Sequence, residues 1–176
     1  MAVYNGQTED NCLFMASQHQ RNFPVVHNQH CSVISVANNS MEYLPTELRC
    51  PKLVSLNLKG NGDLKELPLE FLLSVTCLRV LYLSGCAQIT SIPTSIGQLS
   101  MLEFLSLQGL PIKDLPEEIC QLLGLQFLHL SGCRDVTSLP TQIGELKNLK
   151  HLNLEECDSL KMIPRDISEL TSLCRL

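Results

Sequence analysis

The pattern Leu-x-x-Leu-x-Leu recurs five times in this 176-residue chain at a nearly constant interval. It reads Leu53-Val-Ser-Leu56-Asn-Leu58, Leu78-Arg-Val-Leu81-Tyr-Leu83, Leu102-Glu-Phe-Leu105-Ser-Leu107, Leu125-Gln-Phe-Leu128-His-Leu130 and Leu149-Lys-His-Leu152-Asn-Leu154. Leu173-Cys-Arg-Leu176 starts one more copy, and a degenerate earlier one at Cys31 carries Ile34 and Val36 at the leucine places. From Leu53 on, the leading leucines are 25, 24, 23, 24 and 24 residues apart. A fixed period of this length marks an array in which each copy is one unit stacked on its neighbours.

The register persists downstream of each leucine triplet. An aliphatic residue precedes a proline at Leu44-Pro45, Leu67-Pro68, Ile92-Pro93, Leu115-Pro116, Leu139-Pro140 and Ile163-Pro164. Four of these prolines are followed by Ile at +3 and Leu at +6: Ile96/Leu99, Ile119/Leu122, Ile143/Leu146 and Ile167/Leu170. Two periods are therefore present in every repeat. The triplet ends in alternation, which places Leu56 and Leu58 on one side of a strand and Asn57 on the other. After the proline, apolar residues recur every three, the spacing of a short 3-10 turn with one inward side. Proline suits the start of that turn because its φ is fixed and its missing N–H is not needed there. No unit buries its leucines alone. Stacking does, giving an α/β solenoid with a parallel sheet on the concave side and seven strand positions about 4.8 Å apart.

Composition divides the chain. Of 34 leucines only Leu13 lies in the first 40 residues. Residues 1–30 match no repeat and read as an N-terminal capping segment, with a weak helix over about Thr8–Gln20. Residues 31–176 read as the solenoid, about six repeats and a truncated last strand. A chain stopping at Leu176 leaves leucine side chains and a strand edge bare. Leu149, Leu152, Leu154 and Ile163 are expected to be only partly covered there, and the end to self-associate.

The triplet and its continuation, LxxLxLxx(N/C)xL, resemble the leucine-rich-repeat family. The variant with xLPxxIGxLxxLxxL is similar to the intracellular repeats of plant nucleotide-binding immune receptors, across residues 31–176. The resemblance implies a curved horseshoe with short 3-10 or helical turns on its convex side. It also implies that Asn61, Cys86, Cys133 and Cys157, which hold the Asn/Cys place, turn inward to bond backbone.

Little in the chain points to catalysis. There is no GxxxxGK[ST], HExxH or GxSxG sequence and no paired-Cys zinc spacing, so no cofactor or metal is expected. Cys86, Cys133 and Cys157 are spaced by whole repeats, which packing alone explains, and all nine thiols are expected to be free in a reducing compartment. The net charge of −5 excludes a strongly basic nucleic-acid binder, no apolar run reaches the ~20 residues of a membrane span, and the N-terminus lacks a signal peptide's features. The neighbouring charges Lys65/Glu66, Lys113/Asp114, Arg134/Asp135, Glu145/Lys147 and Arg165/Asp166 read as locally paired solvated surface.

A partner surface is predicted by the residues between the strand leucines. One column runs Val33, Ser55, Val80, Phe104, Phe127, His151, and the next Ser35, Asn57, Tyr82, Ser106, His129, Asn153. Tyr82, Phe104, Phe127, His129 and His151 fall together, in a chain with only eight Phe and Tyr. Aromatic residues on a rigid exposed surface are frequent interface anchors. The competing expectation is that Phe104 and Phe127 cover the leucines and pack on each other. Lys59, Gln108, Lys150, Glu155 and Glu156 would form a polar rim. The expected function is a non-catalytic, cytoplasmic protein-recognition module. By resemblance it would act as the ligand-sensing or autoinhibitory repeats of a plant immune receptor, facing a pathogen effector, a host guardee or the receptor's switch domain. The alternatives are a free-standing signalling scaffold and, through Leu-Ser-Gly-Cys-Ala-Gln-Ile-Thr90, a ubiquitin-ligase substrate adaptor.

Overall fold

The computed structural model describes residues 3–4, 12–15, 21–23 and 30–176. Its organising element is an open eight-stranded sheet in sequence order: β1 (Val3–Tyr4), β2 (Cys12–Met15), β3 (Cys31–Ser35), β4 (Ser55–Asn57), β5 (Val80–Tyr82), β6 (Phe104–Ser106), β7 (Phe127–His129) and β8 (His151–Asn153). From β2 to β8 every pairing is parallel, and β1 returns antiparallel to β2. From β3 onward the repeat sets the register: Ile34, Leu56, Leu81, Leu105, Leu128 and Leu152 are successive partners. All six are buried, while the residues beside them are half-exposed, apart from the buried Ser106.

Two sequence expectations need correction at the ends of this sheet. Cys12–Met15 is a strand against β3, not part of a helix; the rest of the expected Thr8–Gln20 helix lies outside the described residues. Pairing with the open edge of β3 satisfies backbone groups that a lone short helix would leave to solvent. At the other end, Leu149 and Leu152 are fully covered because Arg175 bridges to His151 and Leu173 packs on the core, whereas Leu154 is half-buried and Ile163 is 48% exposed.

Opposite the sheet lie the proline-initiated turns. Thr94–Gln98, Glu117–Gln121, Ile143–Glu145 and Arg165–Glu169 are 3-10 helices, closed by N–H groups of Ile96, Ile119, Ile143 and Ile167 donating to the carbonyls of Pro93, Pro116, Pro140 and Pro164. The 25-residue repeat spends its extra residue here: Leu69–Ser74 is an α-helix (α1), in which Leu72 N–H reaches Pro68 O.

The glycines of the IGxL motif permit this stacking. A Cβ on Gly97 would stand 2.9 Å from Glu118 O, and one on Gly144 would collide with Asp166 O in the next turn. The residues between and after them in the same column are Cys120 and Ser168, so glycine alternates with a small side chain.

Between sheet and turns runs one continuous core of leucine, isoleucine and valine, with Phe71 its largest fully buried side chain. The Asn/Cys ladder closes its third side. Asn61 Nδ2 donates to Val36 O at 2.9 Å and Leu58 O at 2.7 Å. The thiols of Cys86, Cys133 and Cys157 donate to the carbonyls of Leu58, Leu107 and Leu130 at 3.1–3.3 Å. Each reaches back one repeat, so the ladder both satisfies buried carbonyls and ties neighbours together.

Candidate functional site

A parallel sheet ordinarily has both faces covered. Here the turns cover one face, and among the described residues the other is clothed only by its own side chains. The two columns expected from the sequence are pairing partners in the structure, Val80–Phe104–Phe127–His151 in one and Tyr82–Ser106–His129–Asn153 in the other.

The five ring-bearing side chains form one connected group. Phe104 contacts Tyr82 at 4.8 Å and His129 at 5.2 Å between centroids, both tilted. Phe104 lies 6.0 Å from Phe127, and Phe127 stacks on His151 at 4.7 Å with 6° between planes. Ser106 explains how Phe104 reaches both partners. It separates Tyr82 from His129 in the second column, and its small side chain is buried and bonded at 2.6 Å to the Ser84 hydroxyl. Alternation of large and small residues across two columns thus lets the rings interleave. The rings of Phe104 and Phe127 pack on one another, and each remains half-exposed.

The rim divides into two edges. At the strand starts, Arg79 donates to Glu103 at 2.9 Å, and Lys150 donates to Gln126 Oε1 at 2.9 Å. At the strand ends, the exposed Gln108 and Glu155 line a shallow hollow of about 500 Å³ with Arg134 and Glu156. Asn57 and Asn153 stabilise that end of the strand, each accepting through Oδ1 from the backbone N–H two residues on, Lys59 and Glu155. Glu156 stands where the preceding repeats place Gly60, Gly85, Gly109 and Gly132, and like them it has positive φ, +56°.

Surface charges pair differently from the sequence expectation. Apart from the local Arg49–Glu47 pair, the ion pairs among the described residues join adjacent repeats: Lys65–Glu42, Arg79–Glu103, Arg134–Glu156, Arg134–Asp158 and Lys147–Glu169. Parallel strands about 4.8 Å apart put equivalent positions of neighbouring repeats within easy reach. The same spacing in the sequence, 22 to 24 residues, is the signal that reveals these pairs.

Cys31, Cys50, Cys77, Cys86, Cys120, Cys133, Cys157 and Cys174 are unbridged. Burial pushes the Cys120 thiol up to about 12 and those of Cys86 and Cys133 to about 11, so at neutral pH they are uncharged packing groups, not nucleophiles. Among the described residues no group of three or more His, Cys, Asp or Glu could hold a metal ion, and no helix is long and apolar enough to cross a membrane.

Comparison with known proteins agrees with this architecture. Among curated proteins of Arabidopsis thaliana, disease resistance protein RFL1 is 29% identical over 118 residues, covering 66% of this chain and 13% of RFL1. Disease resistance protein SUMM2 is 30% identical over 112 residues, 63% of this chain and 12% of SUMM2. The chain thus spans about an eighth of the length of these relatives. Among solved structures, the Arabidopsis receptor kinase HAESA, in complex with the peptide hormone IDA and the co-receptor SERK1, superposes with a TM-score of 0.78 at 26% identity, over 97% of this chain and 30% of that one. The family model described as leucine-rich repeat region matches residues 30–176, the whole sheet-and-turn array from β3 onward, and on that match the chain belongs to the leucine-rich-repeat family.

Proposed function

We propose that this chain is a non-catalytic protein-recognition module working in the cytoplasm, and that its partner seats on the concave face around Tyr82, Phe104, Phe127, His129 and His151, with Gln108 and Glu155 at the rim. The observation carrying this reading is the ring ladder. Five interleaved rings occupy a rigid sheet face that no other described residue covers, and each stays half-exposed. Rings held in place by their neighbours lose little freedom on binding, which favours them as anchors.

The relatives support a role in plant disease resistance, as the ligand-sensing or autoinhibitory repeats of an immune receptor. The partner would then be a pathogen effector, a host guardee or the receptor's own switch domain. Residues 1–30 act as the cap of the array, β2 covering the β3 edge.

The test is affinity capture from plant extract with the intact chain beside a Tyr82→Ala/Phe127→Ala variant, each first checked for a native circular dichroism spectrum. A partner held by the intact chain and lost from the folded variant supports the reading. Equal capture by both places the interface elsewhere.

A further inference from the structure

The turns opposite the sheet carry a feature that the ring face does not use. Gly97 and Gly144 each let the following turn close to backbone contact, whereas the same place in the Glu117–Gln121 turn belongs to Cys120. A side chain there fills the room that a glycine would leave to the next turn, Ile143–Glu145. Between these two turns lies a cleft of about 360 Å³, with Cys120 in its lining. Described turns flank it on both sides, Thr94–Gln98 before and Arg165–Glu169 after, so the cleft is internal to the array.

The cleft is acidic. Its lining holds the carboxylates of Glu117, Glu118 and Glu145 and the amides of Gln121 and Gln142, with no lysine or arginine. Glu117 accepts from the Thr141 N–H at 3.0 Å and from its hydroxyl at 3.3 Å. Glu145 and the half-buried Glu118 have no ion pair or hydrogen bond among the described residues. In the turn segments 93–101, 116–124 and 140–148 the one lysine or arginine is Lys147, which Glu169 holds at 2.9 Å.

Two further side chains point to what these carboxylates receive. Cys120 is only 5% exposed, and its thiol has no hydrogen-bond partner among the described residues. Burial first, and then the charges of Glu117 and Glu145, push that thiol up to about 12, so the sulfur faces the same space as both carboxylates. It is a neutral weak donor and weak acceptor. Leu123, 58% exposed, gives the cleft an apolar wall.

We propose that this cleft is a second docking site, separate from the ring face, which receives an arginine side chain carried between apolar residues on a partner protein. Charge complementarity selects a cation, since Glu118 and Glu145 have no counter-charge of their own. A guanidinium suits the site better than an ammonium. It offers five donors in one plane to the carboxylates and amide oxygens, and it is more weakly hydrated, so it gives up less on leaving water. The partner's apolar neighbours cover Leu123.

Amide chemical shifts of the isotope-labelled whole chain, titrated with a peptide holding one arginine between leucines, test this. Saturable shifts are expected in residues 117–124 and 140–147. Affinity is expected to fall at least tenfold in Glu118→Gln/Glu145→Gln, at least threefold in Leu123→Ser, and also when lysine replaces the peptide's arginine. Glu66→Gln/Asp135→Asn removes the same charge elsewhere on the surface, and Tyr82→Ala/Phe127→Ala strips the ring face; both are expected to bind as the wild type does. Equal weakening by Glu66→Gln/Asp135→Asn reduces the effect to overall charge and overturns the proposal. So do loss of binding in Tyr82→Ala/Phe127→Ala, shifts confined to the strands, absence of saturable binding, and equal affinity for spermidine, a cation without apolar flanks. If Glu118→Gln/Glu145→Gln does not fold, Glu145→Gln alone takes its place with the same readout.

Discussion

Phe127 and His151, equivalent residues of adjacent repeats, lie face to face with 4.7 Å between ring centroids and 6° between planes. The stack makes the second imidazole a neighbour of His129, and the two histidines are electrostatically coupled. Burial, reinforced by His151, holds the His129 imidazole below its ordinary value. Since the unfolded chain then binds the proton more tightly, the stability due to neutral His129 is fully present above about pH 6.5 and falls as pH drops through the lower folded value. Urea midpoints should decline between pH 7.5 and 5.5, and His129→Gln should flatten that decline. An unchanged slope in the variant would assign the effect to other groups.

Leu128 and Phe127 are sequence neighbours on opposite faces of β7. Leu128 is fully buried, and Leu128→Ala should cost about 2–5 kcal/mol. Phe127→Ser loses half-buried area and two ring contacts, and should cost about 1–2 kcal/mol while removing partner binding. Chemical denaturation of both variants distinguishes them. Equal losses would mean that Phe127 is as structural as Leu128.

Gly144→Ala should destabilise by about 1–3 kcal/mol, because the added methyl meets backbone at Asp166 that cannot move without disturbing the neighbouring turn. Gly124 is the internal control. Its added Cβ would stand 3.5 Å from Leu102 O, an ordinary contact, so Gly124→Ala should be neutral or stabilising by a few tenths of a kcal/mol. Thermal melts of the pair give the comparison, and equal melting temperatures would refute the close-approach account of the IGxL glycine.

Glu156→Gly should raise stability by about 0.5–1 kcal/mol. A left-handed backbone costs a residue with a side chain about 1–2 kcal/mol, whereas the exposed Glu156–Arg134 pair that the substitution removes contributes about 0–1 kcal/mol. Urea unfolding measures the difference, with a lowered midpoint as the contrary result.

The fold was legible because a repeat shows its core in one dimension. The position of Leu128 in its triplet dictated its burial, its strand neighbours Leu105 and Leu152, and the outward placing of Phe127 and His129, since side chains alternate along a strand and equivalent positions align between parallel strands. The inward turn of Asn61, Cys86, Cys133 and Cys157 was instead implied by the resemblance to the leucine-rich-repeat family, since alternation along a strand does not reach past the strand's end. Other features depended on contacts between repeats, which sequence neighbours do not report. Arg134 pairs with Glu156 and Asp158 and not with Asp135, because the next repeat lies closer to its guanidinium than the adjacent side chain. The reach of Phe104 to both Tyr82 and His129 required the small Ser106 between them, a matter of side-chain volume across three strands. Cys12–Met15 carries no repeat signal, and its strand state comes from the open edge of β3 beside it. The periodic sequence therefore determined which residues face inward and which align. Only the tertiary structure decided which aligned side chains touch, because that depends on rotamers and on the room each neighbouring repeat leaves.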